Sequence, residues 1–148
     1  LELALGFPFE TSISISKLIL SGVLDRYPNL KILVSHSGGT LPYLSGRLDS
    51  CVKYEDKLVK SLKKNPSDYL KDLYYDAIIY NDDCLELLVK SVGDDKIMFG
   101  TDHPFFPPTN KNDNKWISTI KIQNIITNLE SNTSNKIFFE NAKNLFNL

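Results

Sequence analysis

The 148-residue chain has only two histidines, two cysteines, one tryptophan and one methionine, and each scarcity narrows what it can do. Cys51 and Cys84 lie in no CxxC pair, so no disulfide framework is indicated. They are expected as small buried or half-buried thiols of a reducing, cytoplasmic compartment. Charge of one sign is also lacking. Seventeen Lys and Arg face eighteen Asp and Glu, a formal net charge of −1, and no global field favours nucleic acid or an anionic membrane. Apolar runs are interrupted well short of the roughly 18 residues that span a bilayer. No charged segment followed by an apolar stretch opens the chain as a leader would. The first residue is Leu1 rather than Met, already inside a patterned segment, and a truncated product or partial gene model is expected. No internal repeat is visible.

What remains is ordinary for a globular protein: 42% hydrophobic and 24% charged residues, enough for one domain over 1–148. Gly6-Phe7-Pro8-Phe9-Glu10 reads as a loop. Thr11 or Ser12 can cap a helix to about Leu24, with Ile15, Leu18, Ile19 and Val23 at helical spacing. After Pro28, the run Leu30–Val34 suits a buried strand. Ser35-His36-Ser37-Gly38-Gly39-Thr40 is a loop, and Leu41 to about Lys64 a long helix with Pro42 in its first turn. A short helical piece follows over Ser67–Asp72, then a strand over Leu73–Ala77. A helix from Asp82 to Val92 carries Leu85, Leu88 and Val89 on one face. Gly93-Asp94-Asp95 turns into a strand over Lys96–Phe99. Residues 109–115 read as an Asn/Lys-rich surface loop before a helix from about Trp116 to Leu129. Strands alternating with helices predict an α/β fold with a parallel sheet. Three strands are too few to close an eight-stranded barrel.

Both histidines lie just past a predicted strand, where parallel α/β folds assemble their sites. His36 is followed by Gly38 and Gly39, beside which a substrate or metal can approach the backbone. An imidazole can act as base in one step and acid in the next; the plain alternative is a cap on the following helix. Asp102, leaving an apolar strand, must be hydrogen-bonded, paired or metal-bound, or else shape the turn before Pro104. His103 leaves the strand in another direction and is expected to be structural or to support the site from behind. Arg47 is a surface residue or a bidentate carboxylate clamp.

Three blocks carry a family resemblance: Gly6–Thr11, Gly22 through His36-Ser37-Gly38-Gly39-Thr40-Leu41-Pro42-Tyr43 to Gly46-Arg47, and Met98-Phe99-Gly100-Thr101-Asp102-His103-Pro104-Phe105. In this order they resemble the amidohydrolase superfamily branch containing aminocarboxymuconate semialdehyde decarboxylase. Relatives in that branch decarboxylate resorcylate, 6-methylsalicylate and uracil carboxylate. The resemblance covers most of residues 1–108. It implies the C-terminal part, about strands 6–8 with their helices, of a metal-dependent (β/α)8 TIM-type barrel. It also implies one divalent metal, zinc or alternatively manganese, and a homodimer acting on a small carboxylic acid.

By the same resemblance His36 is the catalytic acid/base, Asp102 a metal ligand and Arg47 the residue that holds substrate carboxylate across the dimer interface. Ser37 replaces a glycine common in the family. The family's His-x-His pair and its fifth-strand His have no counterpart here, so the ligand set is incomplete. The expected activity of the full-length protein is non-oxidative decarboxylation, a carbon–carbon lyase reaction of the carboxy-lyase class. The alternatives are hydrolysis of a lactone or cyclic amide on the same scaffold, or an inactive truncated fragment.

Overall fold

The computed structural model describes residues 1–55, 62–108 and 114–148. The chain divides into two compact units, Leu1–Tyr75 and Asp76–Leu148.

In the first unit a π-helical turn, Glu2–Gly6, runs straight into α1, Phe7–Leu20. The expected loop at Gly6–Glu10 is therefore helical, and neither Thr11 nor Ser12 caps the helix. Pro8 sits in the first turn of α1, where its missing N–H is tolerated. Taken together, Glu2–Leu20 is 19 residues long and apolar enough to cross a membrane by length and composition. The expectation that every apolar stretch falls short is corrected, because Glu10, Lys17 and the small polar residues between them interrupt the run without ending the helix. Ser12, Ile15 and Ile19 are buried, while Phe7, Phe9 and Ile13 stay about half exposed. The helix stops before Leu24 because Gly22 takes a left-handed conformation, φ 69°, as C-terminal glycines do. A separate turn, α2, covers Val23–Arg26.

Strand β1 is only Leu33–Val34, shorter than expected, since Leu30 N–H is held in a turn by the Tyr27 carbonyl at 3.0 Å. It pairs in parallel with β2, Tyr74–Asp76, with Leu33 opposite Tyr74 and Val34 opposite Tyr75. Helix α3, Leu41–Tyr54, begins at Leu41 with Pro42 in its first turn, as expected. Of the expected extension to Lys64, residues 56–61 lie outside the described residues and 62–65 are not helical. Helix α4 spans Pro66–Leu70.

In the second unit the Ala77 N–H donates to the Met98 carbonyl at 2.8 Å, tying the residue after β2 to β3, Ile97–Met98. Helix α5, Asp82–Val92, has the expected bounds and is capped by the Asn81 side chain, which accepts from the Cys84 N–H. Leu85 and Leu88 are fully buried and Val89 half-buried, whereas Cys84 is exposed, contrary to expectation. It lies in the first turn of α5, where helical side chains lean toward the N-terminus and so past the end of the helix. Helix α6, Ile117–Thr127, is followed by α7, Ser131–Asn135, a π-turn, Lys136–Glu140, and α8, Asn141–Phe146. This closing segment holds β3 from both ends. The Ile137 carbonyl, within the π-turn, accepts the Phe99 N–H at 2.8 Å. The buried Asn141 amide donates to the Asp94 and Ile97 carbonyls at 2.6 and 2.7 Å. Of the surface loop expected over 109–115, residues 109–113 lie outside the described residues, and Asn114 and Lys115 are exposed.

Candidate active site

Both candidate positions sit just beyond strand ends, and both have left-handed backbone. His36 follows β1 by two residues with φ 54°, and Asp102 follows β3 by four with φ 58°. Such conformations cost about 1–2 kcal/mol in a non-glycine residue and persist only where the surroundings hold them.

The surroundings of His36 are backbone. Ser37, Gly38 and Gly39 also have positive φ, making four such residues in succession. The turn closes through Gly38 N–H to the Ser35 carbonyl and Gly39 N–H to the His36 carbonyl, 3.1 and 2.8 Å. A Cβ on Gly38 would stand 3.0 Å from the Tyr75 ring, and one on Gly39 would stand 2.3 Å from the Pro8 carbonyl oxygen. The glycines thus admit the protein's own α1 and Tyr75, rather than the substrate or metal expected from the sequence. Ser12, on α1, completes this lock. Its hydroxyl donates to Pro8 O at 2.8 Å and accepts from Thr40 N–H and Oγ1–H at 2.8 and 2.9 Å. Thr11, one residue before, lies 3.3 Å from His36 Nδ1 and orients the ring. The sequence points to both residues only as candidate caps of a helix start and not as supports of His36 or Thr40.

Arg47 is exposed on α3. It lines a cleft of about 440 Å³ between α1 and α3 with Phe9, Leu41, Leu44 and Cys51, a lining that does not include His36. Among the described residues no acceptor pairs with its guanidinium.

The surroundings of Asp102 are side chains of the second unit. The Tyr80 hydroxyl donates to Asp102 Oδ2 at 3.0 Å. Burial, then the neighbouring Asp102 carboxylate, pushes the Tyr80 phenol well above its ordinary value, so it remains a proton donor. The Tyr80 ring meets Phe106 edge to face, centroids 5.8 Å apart at 78°. The Asp102 carbonyl accepts the Phe105 N–H at 2.8 Å, closing the turn. Gly100 brings the end of β3 close to its neighbour, since a Cβ there would lie 3.0 Å from Ile78. His103 is exposed and turns away, its ring 4.4 Å from that of Trp116. Tyr80 carried no signal in the sequence beyond its place in the loop after a strand.

Comparisons with known proteins bear on what these strand ends do. A family model described as amidohydrolase matches residues 3–148. The chain is 34% identical over 101 residues to 2-amino-3-carboxymuconate-6-semialdehyde decarboxylase of Dictyostelium discoideum, covering 68% of this chain and 28% of that protein. Among solved structures it is similar to Metarhizium anisopliae IDCase in apo form, with TM-score 0.91 and 37% identity over 99% of this chain and 42% of that one. It is also similar to a dihydroxybenzoic acid decarboxylase from Polaromonas sp. JS666 with bound manganese and the inhibitor 2-nitroresorcinol. There the TM-score is 0.77 and the identity 30%, over 95% of this chain and 41% of that one. The chain thus spans less than half the length of each relative.

The manganese in that relative makes a divalent metal part of the comparison. Asp102 fits one ligand position, a half-buried carboxylate with Oδ2 held by Tyr80 and Oδ1 accepting no hydrogen bond among the described residues. Among those residues no group of three or more His, Cys, Asp or Glu comes together, and a protein metal site normally needs three or four ligands. The residues present therefore fit as part of a site and not as a whole one.

Proposed function

From the premise that this chain belongs to the amidohydrolase family, matched over residues 3–148, we propose that it forms part of a metal-dependent, non-oxidative decarboxylase of an aromatic or unsaturated carboxylic acid. The observation that carries the reading is the shared placement of His36 and Asp102, each in left-handed backbone just past a strand end. The decarboxylases it resembles act on small carboxylic acids. In the reaction the bond between the carboxyl group and its carbon breaks, its electron pair stays on that carbon, and carbon dioxide leaves. His36, oriented through Nδ1 by Thr11, delivers the proton that the carbon takes up. Arg47, exposed on α3, holds a substrate carboxylate, in a homodimer by reaching the partner's substrate. Asp102 contributes one carboxylate to the metal, zinc or manganese, whose other ligands lie outside the described residues. When bound, the ion supplies Lewis acidity toward substrate oxygen.

The test is release of carbon dioxide from a panel of carboxylic acids, beginning with 2,6-dihydroxybenzoate, by the full-length protein and by residues 1–148 alone. Turnover is expected from the full-length protein and none from the 148 residues. Hydrolysis of lactones or cyclic amides without carbon dioxide release would establish the hydrolase reading instead.

A further inference from the structure

We propose that Tyr80 is a positioning residue for Asp102: its hydroxyl fixes Oδ2 and leaves Oδ1 as the one oxygen presented for ligation. The inference rests on the reading of Asp102 as a metal ligand and adds a residue to it.

The geometry that supports this begins in the backbone. Between β2 and α5 the chain has little freedom. The Ile78 N–H donates to Asp76 Oδ1 at 3.1 Å and the Ile79 N–H to the Ala77 carbonyl at 2.9 Å. Asn81, the next residue after Tyr80, is the side-chain cap of α5. Tyr80 is therefore held on both sides by short-range hydrogen bonds, and its ring by the edge-to-face contact with Phe106. On the facing strand, β3 is pinned by Ile137 and Asn141, and Gly100 lets it lie close to Ile78. Two rigid segments thus present a hydroxyl and a carboxylate to each other at 3.0 Å. A carboxylate with one oxygen tied down loses the freedom to swing about its Cβ–Cγ bond. It meets an ion with one oxygen in a set direction, which is how hydrogen-bonded neighbours of ligands tune a metal site. A tyrosine that only filled space here would need its ring and not its hydroxyl.

Tyr80→Phe keeps the ring and removes the donor. In the full-length protein, titrated with Mn²⁺ alone, Tyr80→Phe is expected to raise the dissociation constant about 10-fold, with the thermal midpoint near wild type. Turnover should fall in kcat, with KM within about twofold. In an Asp102→Asn background, Tyr80→Phe should add nothing, because the hydroxyl acts through that carboxylate. Wild-type Mn²⁺ affinity in Tyr80→Phe, with Asp102→Asn impaired, would overturn the proposal alone. So would losses that multiply in the double variant. Wild-type affinity in Asp102→Asn would instead remove the metal-ligand reading beneath it.

Discussion

The two strand ends solve one problem by different means. At His36 the proposed acid/base is held by its backbone: four successive positive φ angles, with two glycines pressed against Pro8 and Tyr75. At Asp102 there is one left-handed residue within the turn, and the carboxylate itself is held by a phenol. In the proposed role, an imidazole that picks up and releases a proton gains from a fixed backbone and a contact such as Thr11 at 3.3 Å. In the proposed role, a carboxylate that binds an ion in one direction gains from a hydrogen-bond donor that fixes its other oxygen. The first site should therefore be most sensitive to added side-chain atoms, and the second to lost hydrogen bonds.

The largest expected effect follows from that contrast. Gly39→Ala puts a methyl 2.3 Å from the Pro8 carbonyl and at φ 62°, an overpacked and left-handed position, and should destabilise the first unit by ~3 kcal/mol or more. Gly100→Ala meets the side chains of Ile78 at 3.0 Å and Asp76 at 3.3 Å, with no backbone atom in the way and no positive φ, and should cost about 1–2 kcal/mol. Urea denaturation of the two variants measures the difference; equal losses would break the comparison.

Next in size is the chemistry. His36→Ala in the full-length protein should retain metal near the wild-type level while kcat falls about 10²–10⁴-fold, the usual worth of a positioned acid or base. Asp102→Ala should lose metal first, with activity falling in step. Metal analysis beside a carbon dioxide assay separates the two, and a His36→Ala protein without metal would show that its role is ligation. Arg47→Ala should mainly raise KM, about 10-fold, since a clamp acting equally on ground and transition states contributes to binding. A fall in kcat alone would place Arg47 in the chemical step.

The smallest effect lies away from both strand ends. Lys136 donates to Asp94 and Asp95 at 2.9 and 2.7 Å. Burial raises the Asp94 carboxyl, but the bonds from Lys136 and Thr133 outweigh it and hold the group below its ordinary value. The Lys136 ammonium is held above its own by Asp95 and Asp94. A carboxylate lowered in the folded state stabilises above its unfolded value and stops doing so as pH falls through the lowered one. The raised ammonium stabilises below its unfolded value and loses that effect as pH rises through the raised one. Thermal midpoints of wild type and Lys136→Ala should differ modestly at neutral pH and converge in acid below the carboxylate range. A gap that persists in acid would mean Lys136 acts by packing.

Much of this was legible along the chain. Helix α5 has its expected bounds because Leu85, Leu88 and Val89 at helical spacing and the turn at Gly93 all act within a few residues of one another. A compact run rich in branched residues likewise points to β1, and the turn at Gly93-Asp94-Asp95 to β3 after it, and hence to His36 and Asp102 beyond them. The start of α1 was misread because Gly and Pro are ambiguous by themselves: Pro8 breaks a helix in its interior and suits one in its first turn. Local sequence does not say which turn it occupies.

By itself, then, the sequence determined the alternation of helix and strand, the family blocks, and which residue types stand at the strand ends, since each depends on neighbours a few positions apart. Only the tertiary structure decided what those residues touch. That Gly39 packs on Pro8, that Ser12 bonds Thr40 and that Tyr80 rather than His103 bonds the Asp102 carboxylate all depend on contacts between residues up to 31 positions apart. Such contacts are set by how helices and strands pack, and sequence spacing carries no record of that packing.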